Sequence, residues 1–66
     1  MVSPLRLKRF IKGLTLYDIR QETGIDTAKL SLMERGYVAP KPEEKEKLAR
    51  ALGCAAVEIF PPGTEE

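Results

Sequence analysis

Apolar positions along this chain recur at intervals of three and four, and no stretch alternates apolar with polar as a half-buried strand would. Leu7, Phe10, Ile11 and Leu14 stand at i, i+3, i+4 and i+7, so the pattern predicts a first helix that buries this face. Arg6, Lys8, Arg9 and Lys12 take its remaining positions, which predicts that they point to water. Ser3 followed by Pro4 supplies an N-cap and a residue suited to the first helical position, and Gly13 closes the helix. Thr15 with Asp18 three residues later forms a capping box, and Leu14 with Ile19 a hydrophobic staple, so a second helix is expected over 16–23, ending at Gly24. Asp26 then caps a third helix over 27–35, stapled by Ile25 and Leu30 and ended by Gly36.

After the loop Tyr37–Lys41, Pro42 begins a fourth helix whose dipole favours Glu43 and Glu44 in its first turn. Leu48, Ala51 and Leu52 form its expected core face and Gly53 its end. A short fifth helix over 55–60 should bury Ala56, Ile59 and Phe60 before Pro61-Pro62 stops it. The expected architecture is all-α, a compact bundle of five short helices over 1–60 with a frayed tail over 61–66.

Only three residues, Gly24-Ile25-Asp26, separate the second helix from the third. A turn that short forces a steep crossing and projects the second of the two helices from the body, the arrangement of a helix-turn-helix. Ile19, Ile25, Leu30 and Met33 are the expected buried anchors of that angle.

Size and composition narrow the chemistry. Sixty-six residues make one small domain with a limited core. Cys54 is the sole cysteine and histidine is absent, which rules out an intramolecular disulfide, a Cys/His zinc site and any Ser–His or Cys–His nucleophile. Neither a metal nor another cofactor is expected, and no enzymatic activity. Asp18, Glu22 and Asp26 are three carboxylates close together in the chain, but two of them stand where helix caps are wanted. Cys54 reads as a small core residue. No signal-peptide pattern or run of about 20 apolar residues is visible, so the expectation is a cytoplasmic protein without a membrane partner. Charge is divided unevenly: residues 1–41 hold eight Lys/Arg and four Asp/Glu, a balance of +4, and residues 42–66 hold three and six, a balance of −3. A polyanion would therefore meet the first part of the chain.

Gly-Leu-Thr at 13–15, the Ile19 and Thr-Gly-Ile spacing at 19–25, Leu30 with Met33-Glu34 and Gly36, Pro40, Leu-Ala-Arg-Ala-Leu-Gly at 48–53 and Glu-Ile-Phe at 58–60 fall in one register. In these residues the chain resembles the lambda-repressor-like helix-turn-helix family, also called Cro-type or Xre-type. The resemblance implies double-stranded DNA as partner, the second helix across the phosphates and the third in the major groove. Thr27, Ala28, Lys29, Ser31 and Leu32 would then face bases, with Lys29 within reach of either phosphate or guanine. Leu16 (through its backbone N–H), Tyr17, Arg35, Tyr37 and Lys41 would meet phosphate. It also implies a homodimer reading two half-sites, and a role as a small repressor or an antitoxin.

Three departures from the family pattern bear on specificity. Leu16 stands where a phosphate-binding glutamine is usual, and Arg20 where a small alanine lets helices 2 and 3 approach. The expectation for Arg20 is a stem laid along the interface with its head in water. Ala28 and Leu32 replace polar readers, leaving thymine methyl contact as their mode of recognition. An apolar reading face also suits a second function, a protein-interaction module with Leu32 against a protein partner.

Overall fold

The computed structural model describes residues Ser3–Pro61, which form five helices: α1 Pro4–Lys12, α2 Leu16–Thr23, α3 Thr27–Glu34, α4 Pro42–Leu52 and α5 Ala56–Ile59. Among the described residues there is no strand. The all-helical class and order agree with the sequence expectation. α3 stops one residue early, with Arg35 as its C-cap, and α5 is two residues shorter than the spacing suggests. Of the expected tail only Pro61 lies within the described residues.

Local chemistry accounts for the boundaries. The Ser3 hydroxyl accepts the Arg6 N–H at 3.2 Å, and the α2 capping box is complete: Asp18 N–H to Thr15 Oγ1 at 3.1 Å, Thr15 N–H to Asp18 Oδ2 at 2.9 Å. Asp26 accepts the Ala28 N–H at 3.0 Å. Lys41 and Ala55 have no side-chain oxygen with which to cap, so the carboxylates of Glu44 and Glu58 reach back to their N–H groups, at 2.9 and 3.1 Å. Gly24 carries the chain out of α2 at φ +78°, a left-handed conformation that costs a residue with a Cβ roughly 1–2 kcal/mol.

The core is built from Leu5, Ile19, Ile25, Leu30, Met33, Leu48, Ala49, Leu52 and Ile59, with Leu14, Leu16, Val38, Cys54, Ala56 and Phe60 packed around it. α2 packs on α3 and α4, while α1 and α4 both pack on α5. All four expected anchors of the turn are buried. Ala49 takes the fully buried place expected of Ala51, and Ala56 and Phe60 are half-buried rather than enclosed.

The first helix overturns its prediction. Leu7, Phe10 and Ile11 are 52%, 52% and 67% exposed, and only Leu14, beyond the helix end, packs against the core. α1 instead turns Leu5 and Arg9 inward. The reason is a partner that periodicity cannot see: Arg9 Nε donates to Glu34 Oε2 at 2.7 Å, Nη2 to Glu34 Oε1 at 3.2 Å, and Nη1 to the Leu14 carbonyl at 3.0 Å. This bidentate pair fixes α1 against the end of α3, and rotating the apolar stripe inward would break it.

Candidate nucleic-acid interface

The geometry that matters is set by the turn between α2 and α3. Thr23, the last residue of α2, is buried; its hydroxyl donates to the Ile19 carbonyl at 2.8 Å and accepts the Ile25 N–H at 3.1 Å. One side chain thus bridges the last turn of α2 and the loop, while Ile25 and Leu30 close over the core beneath. Sequence reading passed over Thr23, although a hydroxyl just before a turn glycine is the signal that could have found it.

With that turn fixed, α3 presents a mixed outer face. Ala28 is exposed and Leu32 is 37% exposed; Thr27 and Ser31 are half-buried, with their neighbours Leu30 and Met33 turned inward. Lys29 is less open than the sequence suggests. Its ammonium donates to Glu44 Oε2 at 2.7 Å, so it is held toward the start of α4 rather than standing in water. Glu44 is doubly engaged, through Oε2 by Lys29 and through Oε1 by the Lys41 N–H, and these two bonds hold its carboxyl below the usual range.

The residues expected at phosphate are open to differing degrees. Tyr17 and Tyr37 are exposed, Tyr37 to 73%, and so are Arg35 and Lys41. Leu16 is half-buried against the core, which leaves its backbone as the only polar group it offers. Arg35 and Arg20 make no ion pair among the described residues. Arg20 is exposed on α2, in keeping with the expected solvated head. Glu34 adjoins Arg35, but its charge is consumed by Arg9 from the inner side. The outer end of α3 therefore keeps a cation without a neighbouring competitor.

No group of acidic, cysteine or histidine side chains able to hold a metal occurs among the described residues, and none of their helices is long and apolar enough to cross a membrane. Cys54 is a free thiol, half-buried between α4 and α5.

Two capped helices around a left-handed glycine, with the second displayed and its end positively charged, define a helix-turn-helix domain. A family model described as Helix-turn-helix matches residues 5–59, nearly the whole described chain. The chain belongs to that family, the Cro/C1-type, lambda-repressor-like helix-turn-helix domains of DNA-binding transcriptional regulators. No curated protein and no solved structure matches it significantly. The family is one of DNA-binding regulatory domains and is not typically enzymatic.

Proposed function

We propose that this domain is a sequence-specific transcriptional regulator of the small repressor or antitoxin type, which works in the cytoplasm as a homodimer with α3 in the major groove of each half-site. The observation that carries this reading is the outer side of α3 and the loop behind it. Ala28 and Leu32 are exposed and Ser31 half-open on α3, and Arg35, Tyr37 and Lys41, which follow it in the chain, are all exposed. In this reading Arg35, Tyr37 and Lys41, with Tyr17 and the Leu16 N–H on α2, contact phosphate and set the register, whereas Thr27, Ala28, Ser31 and Leu32 face bases. Ala28 and Leu32 recognise thymine methyl groups, and the hydroxyls of Thr27 and Ser31 supply the polar contacts. Lys29 joins them by exchanging Glu44 for DNA. With no bidentate Arg–guanine or Gln–adenine pair on this face, discrimination per subunit is modest. Two subunits on an inverted repeat, together with DNA shape, supply the rest.

Selection from random-sequence duplex DNA at two salt concentrations tests this. The expected result is an enriched inverted repeat with thymines in each half-site. Arg35→Ala should flatten the dependence of log affinity on log salt by about one counterion, with melting unchanged. Absence of binding even at low salt would instead favour the second reading, in which the part-exposed Leu32 docks a protein.

A further inference from the structure

α2 carries its charges on two different sides. At about 100° per residue, Asp18 and Glu22 lie about 40° apart on one flank, and Arg20 stands about 160° round the axis from each of them. The acidic flank is the one turned to α4, where Glu22 shares a recess with Lys47, Arg50 and Ala51. Asp18 is occupied by its cap, accepting the Thr15 N–H at 2.9 Å. Arg20 is the one cation of the helix, is exposed, and makes no ion pair among the described residues. Its own helix offers it no acid, since the residues three and four positions away are Leu16, Tyr17, Thr23 and Gly24. Lys8, Arg9 and Lys29, by contrast, are each held by a carboxylate. A polyanion approaching α2 thus meets an uncompensated guanidinium on the side away from Asp18 and Glu22.

Helix geometry gives that guanidinium a place. A helical side chain leans toward the N-terminus and covers the turn before its own Cα, which directs the Arg20 stem toward the turn holding Leu16 and Tyr17. Leu16, four residues back, lies about 40° from Arg20 on the same flank. Its side chain packs against the core, so it contributes only a backbone N–H there. Tyr17 is exposed. An arginine suits what is missing, because its paired N–H groups engage two oxygens of one phosphate at once.

We infer that Arg20 is a DNA-contacting residue, its guanidinium gripping the backbone phosphate that meets the Leu16 N–H and Tyr17 at the start of α2. The inference rests on the DNA reading proposed above. It adds a contact that positions α3 over the bases and carries no sequence information of its own.

Arg20→Ala and Arg20→Lys test this in the full chain, titrated with a random-sequence duplex and with the duplex enriched by selection, over a series of salt concentrations. Arg20→Ala should melt within a few degrees of the parent, because the position is exposed. It should bind both duplexes about fivefold more weakly and flatten the dependence of log affinity on log salt by about one counterion per subunit. Arg20→Lys should keep the slope but only part of the affinity, since a point charge replaces a two-pronged donor. A neutral methylphosphonate placed at each phosphate of the half-site in turn should weaken the parent at one position where Arg20→Ala is insensitive. Parental affinity and slope in Arg20→Ala, or equal sensitivity of parent and variant at every phosphate, would overturn the inference. So would an altered base preference in Arg20→Ala, which would make Arg20 a reader of bases. Arg35→Ala keeps the two readings apart. If it flattens the slope and Arg20→Ala does not, DNA reading stands and the Arg20 contact falls; if the parent binds no duplex, both fall.

Discussion

Arg9 and Glu34 hold two helices by one contact, with side chains only 11% and 7% exposed. Truncating Arg9 to alanine leaves the Glu34 carboxylate enclosed without its partner, which costs about 3–5 kcal/mol. A domain of this length has roughly 3–10 kcal/mol in total, so Arg9→Ala should be largely unfolded near body temperature. Replacing both partners together, Arg9→Met with Glu34→Leu, should recover most of the loss, since no buried charge then remains. Urea denaturation of the single and double variants checks this, and an Arg9→Ala melt equal to that of the parent would reduce the pair to a surface contact. Glu34 is legible in the sequence only as part of a family-like ending of α3. That its carboxylate faces inward to Arg9 depends on a residue 25 positions away.

At the scale of elements, the α2–α3 unit is stabilised by a few enclosed side chains rather than by helix propensity, because eight-residue helices are marginal alone. Leu30 is 1% exposed at the centre of that unit. Leu30→Ala should therefore lower stability by about 2–5 kcal/mol, with DNA sequence preference unchanged in whatever fraction remains folded. Thermal melting followed by circular dichroism measures the loss, and a silent substitution would mean that the core is centred elsewhere. α2, α3 and α4 were legible because their signals are local. A cap, a staple and a terminal glycine act within five or six residues of each other. α1 carries equally good caps and a cleaner apolar stripe than α3, yet the stripe faces out, because a stripe gives the direction of hydrophobicity and not the location of the body it must pack on.

For the whole molecule, acid is the natural perturbant. Glu44, held down mainly by the Lys29 hydrogen bond, and Glu58, held down mainly by the Ala55 N–H, both titrate below their ordinary value of 4.5. Because the folded chain binds these protons less readily than the unfolded one, the stability they contribute is complete above about pH 4.5. It is lost as pH falls through their lower folded values. With no histidine in the chain, the melting temperature should be nearly level from pH 7 to 5 and decline below that. Glu44→Gln should make the acid limb shallower. A decline already complete by pH 5 would contradict the assignment of these carboxylates. The same Glu44–Lys29 bond bears on DNA reading, since a Lys29 released to phosphate must first leave Glu44. Glu44→Gln should thus raise non-specific DNA affinity at low salt.

Five helices, the N-caps of the first three, the three-residue turn and the four anchors beneath it were all legible in the sequence. Each is decided by backbone geometry or by neighbours within two turns, and those constraints are written in consecutive residues. It also marked the displayed side of α3, because the inward Leu30 and Met33 leave Ala28 and Leu32 no other direction. Tertiary structure decided the rotation of α1, the burial of Arg9, the capture of Lys29 by Glu44 and the exposure of Leu7, Phe10 and Ile11. Each of these is a competition between partners far apart in the chain. An inward arginine with a bidentate carboxylate and a carbonyl waiting for it fixed the orientation of α1, while the apolar stripe was left facing water.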